Sequence, residues 1–205
     1  MGARRRSRGG RSADRGRGRR ARGPASAPPG ARGRTRGGRP RPGAGAGGPV
    51  RLAERWLDRA PDVLDRDRRS ALLGAVDERW ALVTGEPAVL HADAHPANWF
   101  ADEAGPWLMI DPEYLSIGPA VYDLAPLEVV ERRLGAGPSR FPSCRAGYED
   151  LAGAVDGAAL AAAIGTRELL SVAWLAARAT DPATAGHVRD RLADALAGRP
   201  GGWRT

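Results

Sequence analysis

The segment His91-Ala92-Asp93-Ala94-His95-Pro96-Ala97-Asn98, followed by Ile110-Asp111-Pro112, carries the chemistry of this chain. It sets an acid, an amide and a second acid in the order that phosphoryl transfer uses. Asp93 follows the apolar pair Val89-Leu90 and sits on a loop, where a carboxylate can orient a hydroxyl and accept its proton. Asn98 offers a neutral oxygen and Asp111 a charged one. Magnesium takes such oxygen donors while keeping waters and phosphate oxygens in its remaining positions. His91 and His95 have the i, i+4 spacing of a helical zinc pair. Pro96 follows immediately, the general-base Glu is missing and no third ligand cluster exists, so zinc is disfavoured. His91 reads instead as a brace for the loop. Asp123 reads as structural too, a carboxylate at the start of a helix that can accept backbone N–H groups.

Lysine is absent. All 32 basic residues counted as Lys and Arg are Arg. A kinase ordinarily uses a lysine on the nucleotide phosphates, and the planar guanidinium does not copy a compact ammonium.

The elements that must position these residues begin near Val50. Leu52, Trp56 and Leu57, then Val63 and Leu64, give a helical turn or two interrupted by Pro61. Asp67 is expected to cap a second helix in which Leu72, Leu73, Val76, Trp80 and Val83 recur at helical spacing. The period then shortens. Trp99-Phe100 and Trp107-Leu108-Met109-Ile110 flank a turn at 102–106, which predicts a small hairpin with Asn98 at its entry and Asp111 at its exit. Val121, Leu124, Leu127, Val130 and Leu134 predict another helix, with Pro126 expected to kink its first turn. Residues 135–147 read as loop. Ala-rich helix follows from about 157 to 179, and a last helix from about 183 to 197. The expected fold class is mainly α (α+β), a helical domain with one central hairpin.

Charge divides the chain. Residues 1–49 hold fifteen Arg against the single acid Asp14, a surplus of +14, so a total of +8 leaves the remainder at −6. This segment has no aromatic residue and no Leu or Ile, and its apolar side chains show no period. It is expected to be a disordered tail, since it cannot bury enough surface to offset its ordering entropy. Three readings of it stay open: a misread or truncated start in GC-rich coding DNA, a solvated tail, or a nonspecific nucleic-acid contact made through Arg. The expected organisation is therefore a tail at 1–49, a helical domain at 50–198 and a flexible terminus at 199–205.

Cys144 stands alone, which excludes an intramolecular disulfide and fits a reducing cytoplasm. No apolar run comes close to the roughly 20 residues of a membrane helix. The N-terminus lacks the apolar stretch of a secretory signal.

The motif residues resemble the aminoglycoside phosphotransferase and choline kinase superfamily, small-molecule kinases with a protein-kinase-like fold. The family's catalytic loop, His-Gly-Asp-x-His-x-x-Asn, stands here as His91 to Asn98. Its Ile-Asp-Pro segment stands as Ile110-Asp111-Pro112, and its Gly-x-x-x-x-Asp-Leu-Ala as Gly118 to Ala125. The resemblance implies that Asp93 is the catalytic base, that Asn98 and Asp111 are the magnesium ligands contacting ATP, and that Asp123 is a brace. It implies an ATP-dependent kinase acting on a small-molecule hydroxyl, with aminoglycosides as a candidate acceptor class. It further implies that residues 50–198 form the helical C-lobe, with the N-lobe absent from this chain. Ala92 stands where the family has Gly, which costs about 1 kcal/mol if that position needs a positive φ. Asp150, Asp156 and Glu168 are candidates, by charge alone, for holding a cationic acceptor. The alternatives are a non-catalytic kinase-like binding module and a nucleic-acid-associated protein acting through the Arg-Gly tail.

Overall fold

Among the described residues three helices begin at an aspartate cap, and burial on one central helix holds the fold together. The computed structural model describes residues 48–60, 62–101, 107–135, 140–199 and 201–203. The basic segment up to residue 47, the hairpin turn at 102–106 and residues 136–139 lie outside the described residues, and with them the expectations placed there.

Helix α1 spans Pro49–Leu57 and buries Ala53, Trp56 and Leu57. Helix α2 spans Arg66–Ala81 and buries Leu72 and Val76. Its cap is Asp65 rather than Asp67: the Asp65 carboxylate accepts the Arg68 N–H at 2.8 Å, while Asp67 lies inside the first turn. Both positions carry an acid, so the pattern alone could not separate them.

Helix α3 spans Ala125–Leu134, entered through a 3-10 turn at Ala120–Leu124. Pro126 falls in its first turn, where a missing N–H removes no helical hydrogen bond, and so it starts the helix without breaking it. Helix α4, Phe141–Ala152, occupies most of the segment expected to be loop. It has no buried residue, so it shows no apolar stripe for periodicity to detect. Helix α5 spans Gly157–Ala176 and α6 spans Pro182–Leu196. Asp156 caps α5 by accepting the Ala158 N–H at 2.8 Å. Asp181 caps α6 through the N–H groups of Ala183 and Thr184, both at 2.9 Å.

Helix α5 is the axis of the fold. It packs against α1, α2, α3 and α6, and buries Leu160, Leu169, Leu170 and Val172 among a run of alanines that lets its neighbours approach closely. Each such Leu or Val contributes about 1.5–3 kcal/mol on burial. Its 20 residues with mean hydropathy 1.3 do reach the length and apolarity of a membrane-crossing helix, contrary to the expectation from sequence. Two-thirds of that stretch is buried inside the fold, however, and it carries Arg167 and Glu168. It is the core helix of a bundle.

Two antiparallel strand pairs sit at one end of the helices. Strand β2 (Trp99–Ala101) pairs with β3 (Trp107–Met109), the expected hairpin, with Trp99 opposite Met109. A second pair, not foreseen, joins β1 (Pro87–Leu90) to β4 (Ser116–Pro119). Gly118 lies opposite Ala88 in that ladder. A Cβ at Gly118 would come within 2.9 Å of Leu90 Cδ1, which gives this glycine its reason.

Within the 199–205 segment, expected to be flexible, one described residue is anchored. Trp203 is buried and its backbone N–H donates to the Arg133 carbonyl. Its ring lies 5.0 Å from the Arg133 guanidinium.

Candidate active site

Strand β1 ends at Leu90, and the chain turns sharply at once. The Asp123 carboxylate forms the turn: Oδ2 accepts the His91 N–H at 2.8 Å and Oδ1 accepts the Ala92 N–H at 2.7 Å. Asp123 thus fixes the two residues before Asp93 from the 3-10 turn ahead of α3. Burial pushes its carboxyl up, against the His91 and Ala92 bonds that favour the ionised form.

Ala92 has φ 64°, in the left-handed region. Its Cβ is strained there, whereas glycine is not. Ala92→Gly should therefore stabilise the protein by about 0.5–1 kcal/mol, the left-handed strain removed less the entropy cost of glycine. A higher urea midpoint at unchanged slope checks this. A lower midpoint would mean that the Ala92 methyl contributes more by packing than it costs in strain.

The two histidines are ordered by their tautomers. His91 Nε2 lies 2.9 Å from the Ile110 carbonyl. A carbonyl only accepts, so Nε2 carries the proton, and Nδ1 is left buried without a partner. His95 Nδ1 accepts the Ala97 N–H at 3.2 Å. Its proton is therefore on Nε2, which lies 3.5 Å from Asp93 Oδ2.

Asn98 is buried, at the end of a 3-10 turn spanning Pro96–Asn98. Its Nδ2 donates to the Asp93 carbonyl at 3.0 Å and reaches Asp93 Oδ2 at 3.4 Å. Using the amide nitrogen in this way leaves Oδ1 as the atom available to a cation. The Asn98 carbonyl accepts the Ile110 N–H at 2.9 Å. Ile110 is thus held on both sides, its N–H by Asn98 and its carbonyl by His91, and it delivers Asp111 as the next residue. Asp111 has φ 63°, a conformation that Asp tolerates better than most residues.

Asp93 and Asn98 are in contact, Asp111 follows Ile110, whose N–H and carbonyl are bonded to Asn98 and His91, and Asp123 ties the loop to the 3-10 turn ahead of α3. Among the described residues no group of three or more His, Cys, Asp or Glu forms a metal cage. A buried Asn and an exposed Asp suit magnesium, which takes few protein ligands and completes its shell with phosphate and water.

Sequence reasoning missed Arg167. From α5 its Nη2 donates to Asp93 Oδ1 in a close ion pair, both side chains being about 15% exposed. The available signal was an Arg-Glu pair interrupting an apolar run. Burial pushes the Asp93 carboxyl up, but the His95 hydrogen bond and the Arg167 charge outweigh it and hold the group below the usual carboxylate range. A cavity of about 340 Å³ opens beside this pair, lined among others by Ala92, Glu113, Tyr114, Tyr122 and Arg167. Burial pushes both tyrosines up to about 12, so they remain neutral hydroxyls.

The three acids suggested for a cationic acceptor do not line this cavity. Asp156 caps α5, Asp150 is exposed on α4, and Glu168 is buried with Arg132 and Arg133.

A helical lobe with a short hairpin, and a loop in which one buried amide orients the acid before it, define the architecture of kinase-like phosphotransferases. The chain belongs to the phosphotransferase enzyme family, which it matches over residues 19–162, a span reaching back into the basic segment. It is 41% identical over 83 residues to streptomycin 6-kinase of Streptomyces griseus, covering 40% of this chain and 25% of that protein. Among solved structures it is similar to choline kinase LicA from Streptococcus pneumoniae, with TM-score 0.56 and 18% identity over 76% of this chain and 57% of that one. The AMP complex of LicA is similar at TM-score 0.54 and 19% identity, over 73% and 54% of the two chains. The chain thus spans about a quarter of the streptomycin kinase and little more than half of the choline kinase.

Proposed function

We propose that this chain carries the catalytic loop of an ATP-dependent kinase acting on a hydroxyl of a small molecule, with an aminoglycoside as the acceptor class. The observation that carries the reading is the pairing of Asn98 with Asp93 on a turn held by Asp123. In a reaction that is mostly positioning and charge neutralisation, a base pre-oriented in this way is the protein's main contribution.

Asp93 accepts the acceptor's hydroxyl proton through Oδ2 as that oxygen attacks. Arg167 occupies Oδ1, and His95 and Asn98 keep Oδ2 facing one way. Asn98 Oδ1 and the Asp111 carboxylate are the donors for magnesium, which when bound neutralises charge on the phosphate oxygens. The AMP complex among the structural neighbours supports adenine nucleotide as the donor. The aminoglycoside class rests on the partial likeness to streptomycin 6-kinase. A cytoplasmic location suits the single, partly buried Cys144.

The test is transfer of label from ATP to an aminoglycoside panel that includes streptomycin. With no lysine in the chain to hold the phosphates, slow transfer is expected. Asp93→Asn should reduce it by about 100-fold or more. Transfer that survives Asp93→Asn unchanged, or none at all to any member of the panel, would overturn the reading.

A further inference from the structure

We propose that Arg167 is a positioning residue for Asp93: its guanidinium holds Oδ1 and so keeps the carboxylate from turning onto the divalent ion assigned to Asn98 and Asp111. The inference rests on the phosphotransferase reading above. It concerns a residue beyond the family match, which ends at residue 162.

The base and the ion's ligands share one amide. Asn98 Nδ2 reaches Asp93 Oδ2 at 3.4 Å, while its Oδ1 is the atom left for the cation. A carboxylate that close, if free to rotate, is a better ligand for a hard cation than the amide is. Bound to the ion, it would lose the lone pair that accepts the hydroxyl proton. Contacts at both oxygens resist that rotation. Asn98 and His95 meet Oδ2, but both lie on the same loop as Asp93. Among the described residues, Arg167 alone reaches Asp93 from another element.

That element is stiff. Thr166 and Glu168, on either side of Arg167, are both buried. Thr166 Oγ1 donates to the Ala162 carbonyl at 2.9 Å, and Glu168 is fixed by the two arginines of α3. The Arg167 carbonyl itself accepts the Ser171 hydroxyl at 2.9 Å. Arg167 therefore has little freedom to follow Asp93 if the carboxylate turns, and a short charge-assisted bond of this kind holds it in place.

The probe is Mn2+ alone, titrated into the 205-residue chain and read by EPR. Arg167→Met should tighten Mn2+ binding by about tenfold, because Asp93 joins the ligands. Adding Asp93→Asn to Arg167→Met should return the affinity to that of the parent, whereas Asp93→Asn alone should change it little. Arg167→Lys keeps a charge beside Oδ1 and should stay within about twofold of the parent. Thermal unfolding of each variant reports whether it is folded. Unchanged affinity in folded Arg167→Met overturns the proposal. So does tightening that persists in the double variant, since that would be a simple loss of positive charge. Asp111→Asn tests the underlying site separately. If it leaves the parent's affinity unaltered, the ion is elsewhere and the phosphotransferase site fails together with the proposal.

Discussion

Glu168→Ala should cost about 3–5 kcal/mol, the largest stability loss expected of any single substitution in this chain. The Glu168 carboxylate is buried and its Oε1 takes both Arg132 and Arg133. Arg133 is only 2% exposed. Its Nε meets Glu168 at 2.7 Å, and its Nη1 donates to the carbonyls of Arg199 and Gly201 at 2.7 and 2.9 Å. Removing the acid leaves a guanidinium charge out of water with only neutral partners. Urea unfolding should show the loss, and the thermal midpoint should fall by roughly 10 °C for a domain of this size. Replacing both partners, as in Glu168→Leu with Arg133→Met, should cost less than Glu168→Ala alone, because no charge is then stranded. A loss below about 1 kcal/mol for Glu168→Ala would show that water reaches Arg133 after all.

Asp123→Ala should be the next most damaging, at about 3 kcal/mol. It strands two backbone N–H groups, of His91 and Ala92, and withdraws the support of a strained left-handed residue. Asp123→Asn is expected to be nearly as harmful. An amide can accept one of those bonds through its oxygen, but it turns an NH2 group toward the other donor. The measurement is urea unfolding of both variants beside the parent. If Asn matches the parent, the carboxylate acts at only one of its oxygens, and the bracing of the turn is weaker than its geometry suggests.

Much of the site was readable before any coordinates, because its information is local. The His-x-Asp, the Asn five residues on and the Asp after an apolar run are sequence neighbours, and the β2–β3 pairing spans the stretch between Asn98 and Asp111. Helices α2, α5 and α6 were likewise legible from apolar repeats, alanine-rich composition and Pro182, although the cap of α2 was placed two residues late. What escaped was encoded across the fold. Arg167 meets Asp93 from 74 positions away, and no spacing rule reaches that far. The β1–β4 ladder escaped because each strand is four residues long and its pairing is decided by distant register. Helix α4 escaped because a helix with no buried face has no pattern. The apolar run at 107–110 misleads in the opposite sense. Leu108, Met109 and Ile110 are each about half exposed, so that run records strand propensity and not a place in the core. Glu168 makes the same point with charge: its sign was visible, but only burial says that it neutralises Arg133.

The β1–β4 ladder bears on how much order a ligand must supply. It clamps both ends of the segment between residues 91 and 115, and the β2–β3 pair divides that segment into shorter spans. Closing a loop costs entropy that rises only slowly with its length, about 0.6 kcal/mol per doubling, and here folding itself meets that cost. The segment that carries Asp93, Asn98 and Asp111 is consequently closed by folding itself and not by a ligand. A ligand reaching them keeps the free energy of its contacts, where a looser segment would spend part of it on being ordered.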